Sequence, residues 1–107
     1  MNIELRKADV NDYSQVYDLI KEFAFFIKTP EKVTITLSQM IEDKDYFHCI
    51  VALDGQEIIG FATYYFAYYS WTGKSAYLDD LYVKEKYRGN KIGTKLMNMV
   101  FKSELAT

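Results

Sequence analysis

Ile3-Glu4-Leu5-Arg6 alternates apolar and charged side chains, the period of a short strand with one face to bury. Asp9 then offers a helix N-cap, and Asp12, three residues on, stands where a capping box reaches back to the cap. The helix predicted to follow places Tyr13, Val16, Ile20, Phe23, Ala24 and Ile27 at intervals of three or four, a single stripe for a sheet to cover. Pro30 opposes continuation, and Thr36 with Gln39 repeats the capping signal for a shorter helix ending near Glu42. Phe47, Cys49, Val51 and Leu53 alternate with His48, Ile50 and Ala52, so Phe47 to Leu53 reads as a strand with two mostly apolar faces. Asp54-Gly55 supplies a hairpin turn, Glu57 to about Tyr69 a long return strand, Trp71-Thr72-Gly73-Lys74 a second turn, and Ser75 to Val83 a third strand. The aromatic run from Tyr64 to Tyr69 reads as strand packed on both faces. A last helix runs from about Ile92 through Leu96, Met97, Val100 and Phe101. Strand, two helices, a three-stranded antiparallel meander and a helix make an α+β layered fold.

Composition narrows the class. The 107 residues, 50% of them apolar, suit one domain over residues 1–107 and leave no room for a second. A net charge of −2 gives no broad basic face, which argues against nucleic acid as a partner and favours a small cationic one. Cys49 is the only cysteine, which rules out an intramolecular disulfide and fits a reducing compartment; it reads as a small buried strand residue. The N-terminal Met1-Asn2-Ile3-Glu4-Leu5 lacks a signal pattern, and no apolar run approaches the roughly 20 residues that span a bilayer. A cytoplasmic protein without a membrane partner is expected. His48, the single histidine, has no Cys or His at metal-ligand spacing, so no metal is expected.

The candidate chemistry lies between Tyr77 and Thr94. Tyr77-Leu78-Asp79-Asp80-Leu81-Tyr82-Val83 reads as a strand, and Arg88-Gly89-Asn90-Lys91-Ile92-Gly93-Thr94 as a glycine-bearing turn opening a helix. Backbone N–H groups at such a helix start favour an anion such as a pyrophosphate. Strand alternation would put Asp79 on one face and Asp80 on the other. An ATP-type phosphate loop is excluded by spacing, since no Gly-Lys-Thr/Ser follows four intervening residues.

The same stretch resembles motif A of the GNAT superfamily of acetyl-CoA-dependent N-acetyltransferases: Arg or Gln, two residues, Gly, one residue, then Gly or Ala. Arg88 and Gly93 match, while Lys91 stands where the middle glycine is usual. Gly60-Phe61-Ala62-Thr63-Tyr64-Tyr65-Phe66, Trp71-Thr72-Gly73-Lys74 and Tyr77-Leu78-Asp79-Asp80 occur in the order found in the diamine and polyamine acetyltransferases of that superfamily, which the chain resembles most. The resemblance implies acetyl-CoA as cosubstrate and a small amine as acceptor. It implies that the coenzyme lies along Leu81, Tyr82 and Val83, with Arg88, Gly89, Asn90, Lys91, Ile92, Gly93 and Thr94 around its pyrophosphate. Asp79 takes the place of the family's glutamate that receives the amine proton through water, one methylene shorter. Asp79, Asp80, Trp71 and Tyr69 are the expected substrate-binding residues, the aromatic ones through contact with a cation. Acidic residues that polyamine enzymes carry at the end of the first helix and two before the tryptophan are replaced by Phe25, Phe26, Ile27 and Tyr69, which leaves small amines and amino-acid side chains open. Lys91 cuts both ways, since its charge attracts phosphate while its side chain burdens a backbone that glycine tolerates better.

In the family the order continues with a fifth strand, a helix and a final strand. A GNAT-like mixed sheet lacking this C-terminal strand-helix-strand is therefore expected, with the resemblance ending near residue 102. Two readings stay open: an N-acetyltransferase, or a non-catalytic truncated remnant that binds coenzyme A weakly or only self-associates. Either leaves the Ser75 to Val83 strand as a free edge, through which a homodimer is expected.

Overall fold

The computed structural model describes residues 2–106, with side chains through residue 102, so the expected domain limits Met1 and Thr107 lie outside the described residues. Strand β1 (Ile3–Lys7), helices α1 (Tyr13–Phe26) and α2 (Leu37–Glu42), strands β2 (His48–Asp54), β3 (Glu57–Tyr69) and β4 (Gly73–Val83), and helix α3 (Ile92–Ala106) follow in that order. The strands form one sheet ordered β1-β2-β3-β4, with every pairing antiparallel. The α+β meander expected from sequence is present, and β4 is an edge.

The caps form as their side-chain oxygens dictate. Asp9 accepts from the Asn11 N–H at 2.8 Å and Asp12 accepts from the Asp9 N–H at 2.8 Å. This box closes a 3-10 turn, Val10–Asp12, and α1 starts only at Tyr13. The Asp12 carboxylate also takes both Arg6 terminal nitrogens, at 2.6 and 3.0 Å, joining the end of β1 to the start of α1. That hydrogen-bonded guanidinium holds the buried Asp12 carboxyl below the usual carboxylate range. Thr36 Oγ1 accepts from the Gln39 N–H at 3.1 Å and starts α2.

Two apolar layers sandwich the sheet. Val16 and Leu19 of α1 and Met40 of α2 pack on Val51, Phe61 and Tyr82, while Ile92, Leu96 and Val100 of α3 pack on Ile50, Ile59 and Val83 from the other face. Each such side chain, once buried, contributes about 1.5–3 kcal/mol of transfer free energy. The α1 stripe turns through Leu19, so Ile27, expected in the core, sits half exposed at the helix end. Phe101 is half exposed as well. The aromatic run departs further from expectation: β2 pairs with β3 only as far as Tyr64, and beyond it Tyr65, Tyr68 and Tyr69 of the β3–β4 ribbon are exposed. Between β4 and α3 on β3 the sequence has Gly60, at which a Cβ would meet the Tyr82 carbonyl oxygen at 3.1 Å, Val83 Cγ2 at 3.3 Å and Leu96 Cδ1 at 3.5 Å.

Candidate functional site

The β3–β4 ladder shifts by one residue in its middle. Thr63 stands opposite Asp80, but Tyr64 stands opposite Leu78, so Asp79 is an inserted bulge residue. The consequence is visible in packing. Leu78 and Leu81, three apart, both lie against the α3-side cluster, which strict alternation would forbid. Asp79 and Asp80 therefore fall together on the α1–α2 side, where both line a cavity of about 320 Å³ with Thr63, Tyr65, His48 and Met40. The expected placement of one carboxylate on each face is thus corrected, because alternation was counted through a residue that the ladder skips.

The two carboxylates differ in surroundings. Asp79 is exposed and Asp80 half-buried. Burial, and then the charge of Asp79, raise the Asp80 carboxyl above its ordinary value. The Asp80 N–H donates to Thr63 Oγ1 at 3.1 Å, and Thr63 itself is buried. His48 lies against the rings of Tyr64 and Phe66, at 5.4 and 5.0 Å between centroids, and burial lowers its pKa.

Beyond the bulge, β4 runs into a loop whose backbone twice enters the left-handed region. Gly89 has φ 88°, Lys91 has φ 61°, and α3 begins at Ile92. A cleft of about 450 Å³ brings together Leu81, Tyr82, Val83, Arg88, Gly89, Lys91, Ile92, Gly93 and Thr94, every residue expected around the coenzyme except Asn90. The Asn90 side-chain amide instead donates to the Tyr87 carbonyl at 2.9 Å and ties the loop to its own base. Tyr87 is anchored in turn, since its hydroxyl donates to Asp54 at 2.6 Å, a bond that pushes the phenol up to about 12.

Ladder groups alternate, and the Lys84 N–H donates to the Ile59 carbonyl at 2.8 Å, so the main-chain groups of Val83 and Leu81 point toward the open edge. Arg88 uses one of them: its Nε donates to the Val83 carbonyl at 2.8 Å. Its guanidinium lies 4.8 Å from the Phe26 ring centre and 5.3 Å from that of Tyr82, which holds it between β4 and α1. It also borders a second pocket of about 660 Å³, formed with Glu22, Phe25, Phe26, Tyr82 and Glu85. There the Tyr82 hydroxyl donates to Glu22 at 2.6 Å, and burial with this bond pushes it to about 12.

Trp71 and Tyr69 do not join the carboxylates. Trp71, at the ribbon tip, is 96% exposed, and Tyr69 takes a hydrogen bond from Tyr77 at 3.0 Å; neither lines the Asp79–Asp80 cavity. Tyr65 does, and it stacks on Tyr77 at 5.6 Å. Thr63 and Tyr65 carried a weak signal, being separated by the strand period, but only the bulge aligns them with both aspartates. Among the described residues no group of three or more His, Cys, Asp or Glu could hold a metal ion, and no helix is long and apolar enough to cross a membrane.

A family model described as the acetyltransferase (GNAT) family matches residues 13–104. Thialysine N-epsilon-acetyltransferase of Mus musculus is 35% identical over 108 residues, covering 90% of this chain and 64% of its own length. Spermidine/spermine N(1)-acetyltransferase-like protein 1 of Homo sapiens is 31% identical over 115 residues, which are 97% of this chain and 16% of that protein. The chain thus spans less than two thirds of the length of these relatives. An aminoglycoside acetyltransferase from an uncultured soil metagenomic sample, solved with trehalose, superposes with a TM-score of 0.83 at 20% identity, over 97% of this chain and 70% of that one. That likeness concerns the fold.

Proposed function

The chain belongs to the acetyltransferase (GNAT) family, and from that premise we propose that it transfers an acetyl group from acetyl-CoA directly to a primary amine of a small molecule, diamine-like or on an amino-acid side chain. The observation that carries the reading is the meeting, in one cleft, of the open Leu81–Val83 edge with the start of α3. Acetyl-CoA supplies the activated thioester. The chain's own residues supply the rest: outward N–H groups of Leu81 and Val83 for the coenzyme arm and the carbonyl oxygen, and the loop Gly89, Asn90, Lys91, Ile92, Gly93 and Thr94 with the α3 dipole for the pyrophosphate. Arg88 adds charge at the junction of the two pockets.

The acceptor needs a base, because an alkylammonium with a pKa near 10 is only about one part in a thousand free amine at neutral pH. Asp79, exposed at the bulge, receives that proton through water, and Asp80 beside it attracts the ammonium form. Trp71 and Tyr69 reach an acceptor only if its far end extends to the ribbon tip. The thialysine and spermidine/spermine names of the relatives favour amines of this kind. A cytoplasmic setting, where acetyl-CoA and such amines meet, and a homodimer paired through β4 belong to the same proposal.

Thiol release from acetyl-CoA in the presence of diamines, thialysine-like amines and amino acids tests it. Turnover with at least one such amine is expected, and Asp79→Asn should lower kcat while leaving coenzyme affinity within about twofold. Coenzyme A that does not bind in a calorimetric titration would remove the reading.

A further inference from the structure

An inserted residue lets a strand relax toward a slipped register unless the ladder beside it is held. On β3 the residue facing the insertion is Thr63, whose hydroxyl receives the Asp80 N–H at 3.1 Å in a buried setting. A β-branched side chain has few χ1 choices, so the acceptor is presented in a fixed direction. Register on either side depends on that point, since Leu78 and Leu81 stay on the α3 side only while Asp79 remains the skipped residue. A one-residue slip would exchange the faces of part of β4 and separate the two carboxylates.

We infer that Thr63 is a positioning residue whose hydroxyl anchors the Asp80 amide and so keeps the Asp79 and Asp80 carboxylates turned together into the cavity between β4 and helices α1 and α2. The inference rests on the proposed amine acetylation for its purpose, though not for its geometry. Thr63 takes no part in the reaction; it sets where proton acceptor and ammonium partner stand. The titratable groups that share the cavity with them are His48, Tyr46, Tyr64 and Tyr65, so a displaced midpoint must be assigned to its carboxyl directly.

The experiment compares native protein with Thr63→Val, Thr63→Ala and Thr63→Ser by NMR, following amide exchange at Asp80 and the side-chain carboxyl carbons of Asp79 and Asp80 against pH. The native Asp80 amide should be protected. In the Val and Ala variants it should exchange about tenfold faster, the scale of one lost hydrogen bond, and the Asp80 carboxyl midpoint should move. Thr63→Ser, which keeps the hydroxyl but not the β-branch, should stay much closer to native exchange and midpoints than Val or Ala. Unchanged exchange and midpoints in a folded Val or Ala variant would overturn the inference, as would an unprotected Asp80 amide in the native protein, a result that needs no variant. The pH profile of thiol release from acetyl-CoA should shift in Thr63→Val and stay in Thr63→Ser; an unshifted profile in an active Thr63→Val also overturns it. Moved NMR midpoints with no thiol release even from native protein would support the role of Thr63 and sink the acetylation instead.

Discussion

Replacing Lys91 by glycine should stabilise the protein. Lys91 sits at φ 61°, immediately before α3. For a residue with a Cβ this left-handed backbone costs about 1–2 kcal/mol. Glycine removes that cost but loosens the unfolded chain by about 0.4–1 kcal/mol. The difference spans about 0–1.6 kcal/mol and centres on about 0.8 kcal/mol in favour of Lys91→Gly, a rise of about 3–6 °C in Tm for a domain of this size. Lys91→Ala is the control, since it removes the same charge and stem yet keeps the Cβ and the strain. Urea unfolding followed by circular dichroism should rank glycine above lysine, with alanine at or below lysine. Calorimetric titration with coenzyme A should show both variants weakened by a similar factor, about two- to fivefold, because both lose the same exposed cation at the cleft. Glycine no more stable than alanine would refute the strain argument. Weaker binding in glycine alone would refute the assignment of the affinity change to charge.

Asp12→Asn should cost about 1–3 kcal/mol in urea unfolding, since it breaks a part-buried bidentate pair with the half-exposed Arg6 and part of a cap. Because the folded Asp12 pKa lies below its unfolded value, this stability is present above about pH 4 and lost as pH falls through the folded pKa, so the native and variant curves should converge in acid. Asp80 behaves with the opposite sign. Its folded pKa is raised, so ionising it disfavours the fold, and Asp80→Asn should increase stability at neutral pH with the gain vanishing below the unfolded pKa; a loss at neutral pH would contradict the burial reading. Cys49 is buried and its thiol is pushed up by that burial, so a thiol reagent should react in native buffer only as fast as the protein opens and promptly in denaturant.

The parts of this fold that were legible in the sequence are those fixed by local chemistry. Asp9 and Thr36 start helical turns because an oxygen two or three bonds from the backbone finds orphan N–H groups, whatever the rest of the chain does. The Asp54-Gly55 hairpin follows in the same way, with Gly55 at φ 64° as its turn requires, whereas the α1 stripe was legible only in part, since Leu19 is buried and Ile27 half exposed. The Asp79–Asp80 cavity was less legible because a bulge is a relation between two strands. No residue near Asp79 announces it, yet it decides that adjacent aspartates share a cavity and that Thr63 and Tyr65 share it with them. The exposure of Tyr65, Tyr68 and Tyr69 was hidden for a related reason: how far β3 outruns β2 is a difference of strand lengths, while aromatic content looks the same on a buried strand and on a projecting ribbon.

The position of β4 at the sheet edge makes the proposed coenzyme site and the proposed homodimer rivals for one stretch of main chain. Ladder alternation turns the Leu81 and Val83 N–H groups and the Leu81 carbonyl outward, and among the described residues no further strand covers them. They can satisfy a coenzyme arm or the edge of a second copy, but not both at once. Homodimer pairing along this part of β4 must therefore compete with coenzyme binding, and linkage requires each to weaken the other by the same factor. Sedimentation at micromolar protein should show a dimer fraction that falls as coenzyme A is added, and titrations at rising protein concentration should show weaker apparent coenzyme affinity. A dimer fraction indifferent to coenzyme A would mean that the copies meet elsewhere, and the Leu81–Val83 edge would then be reserved for the cosubstrate alone.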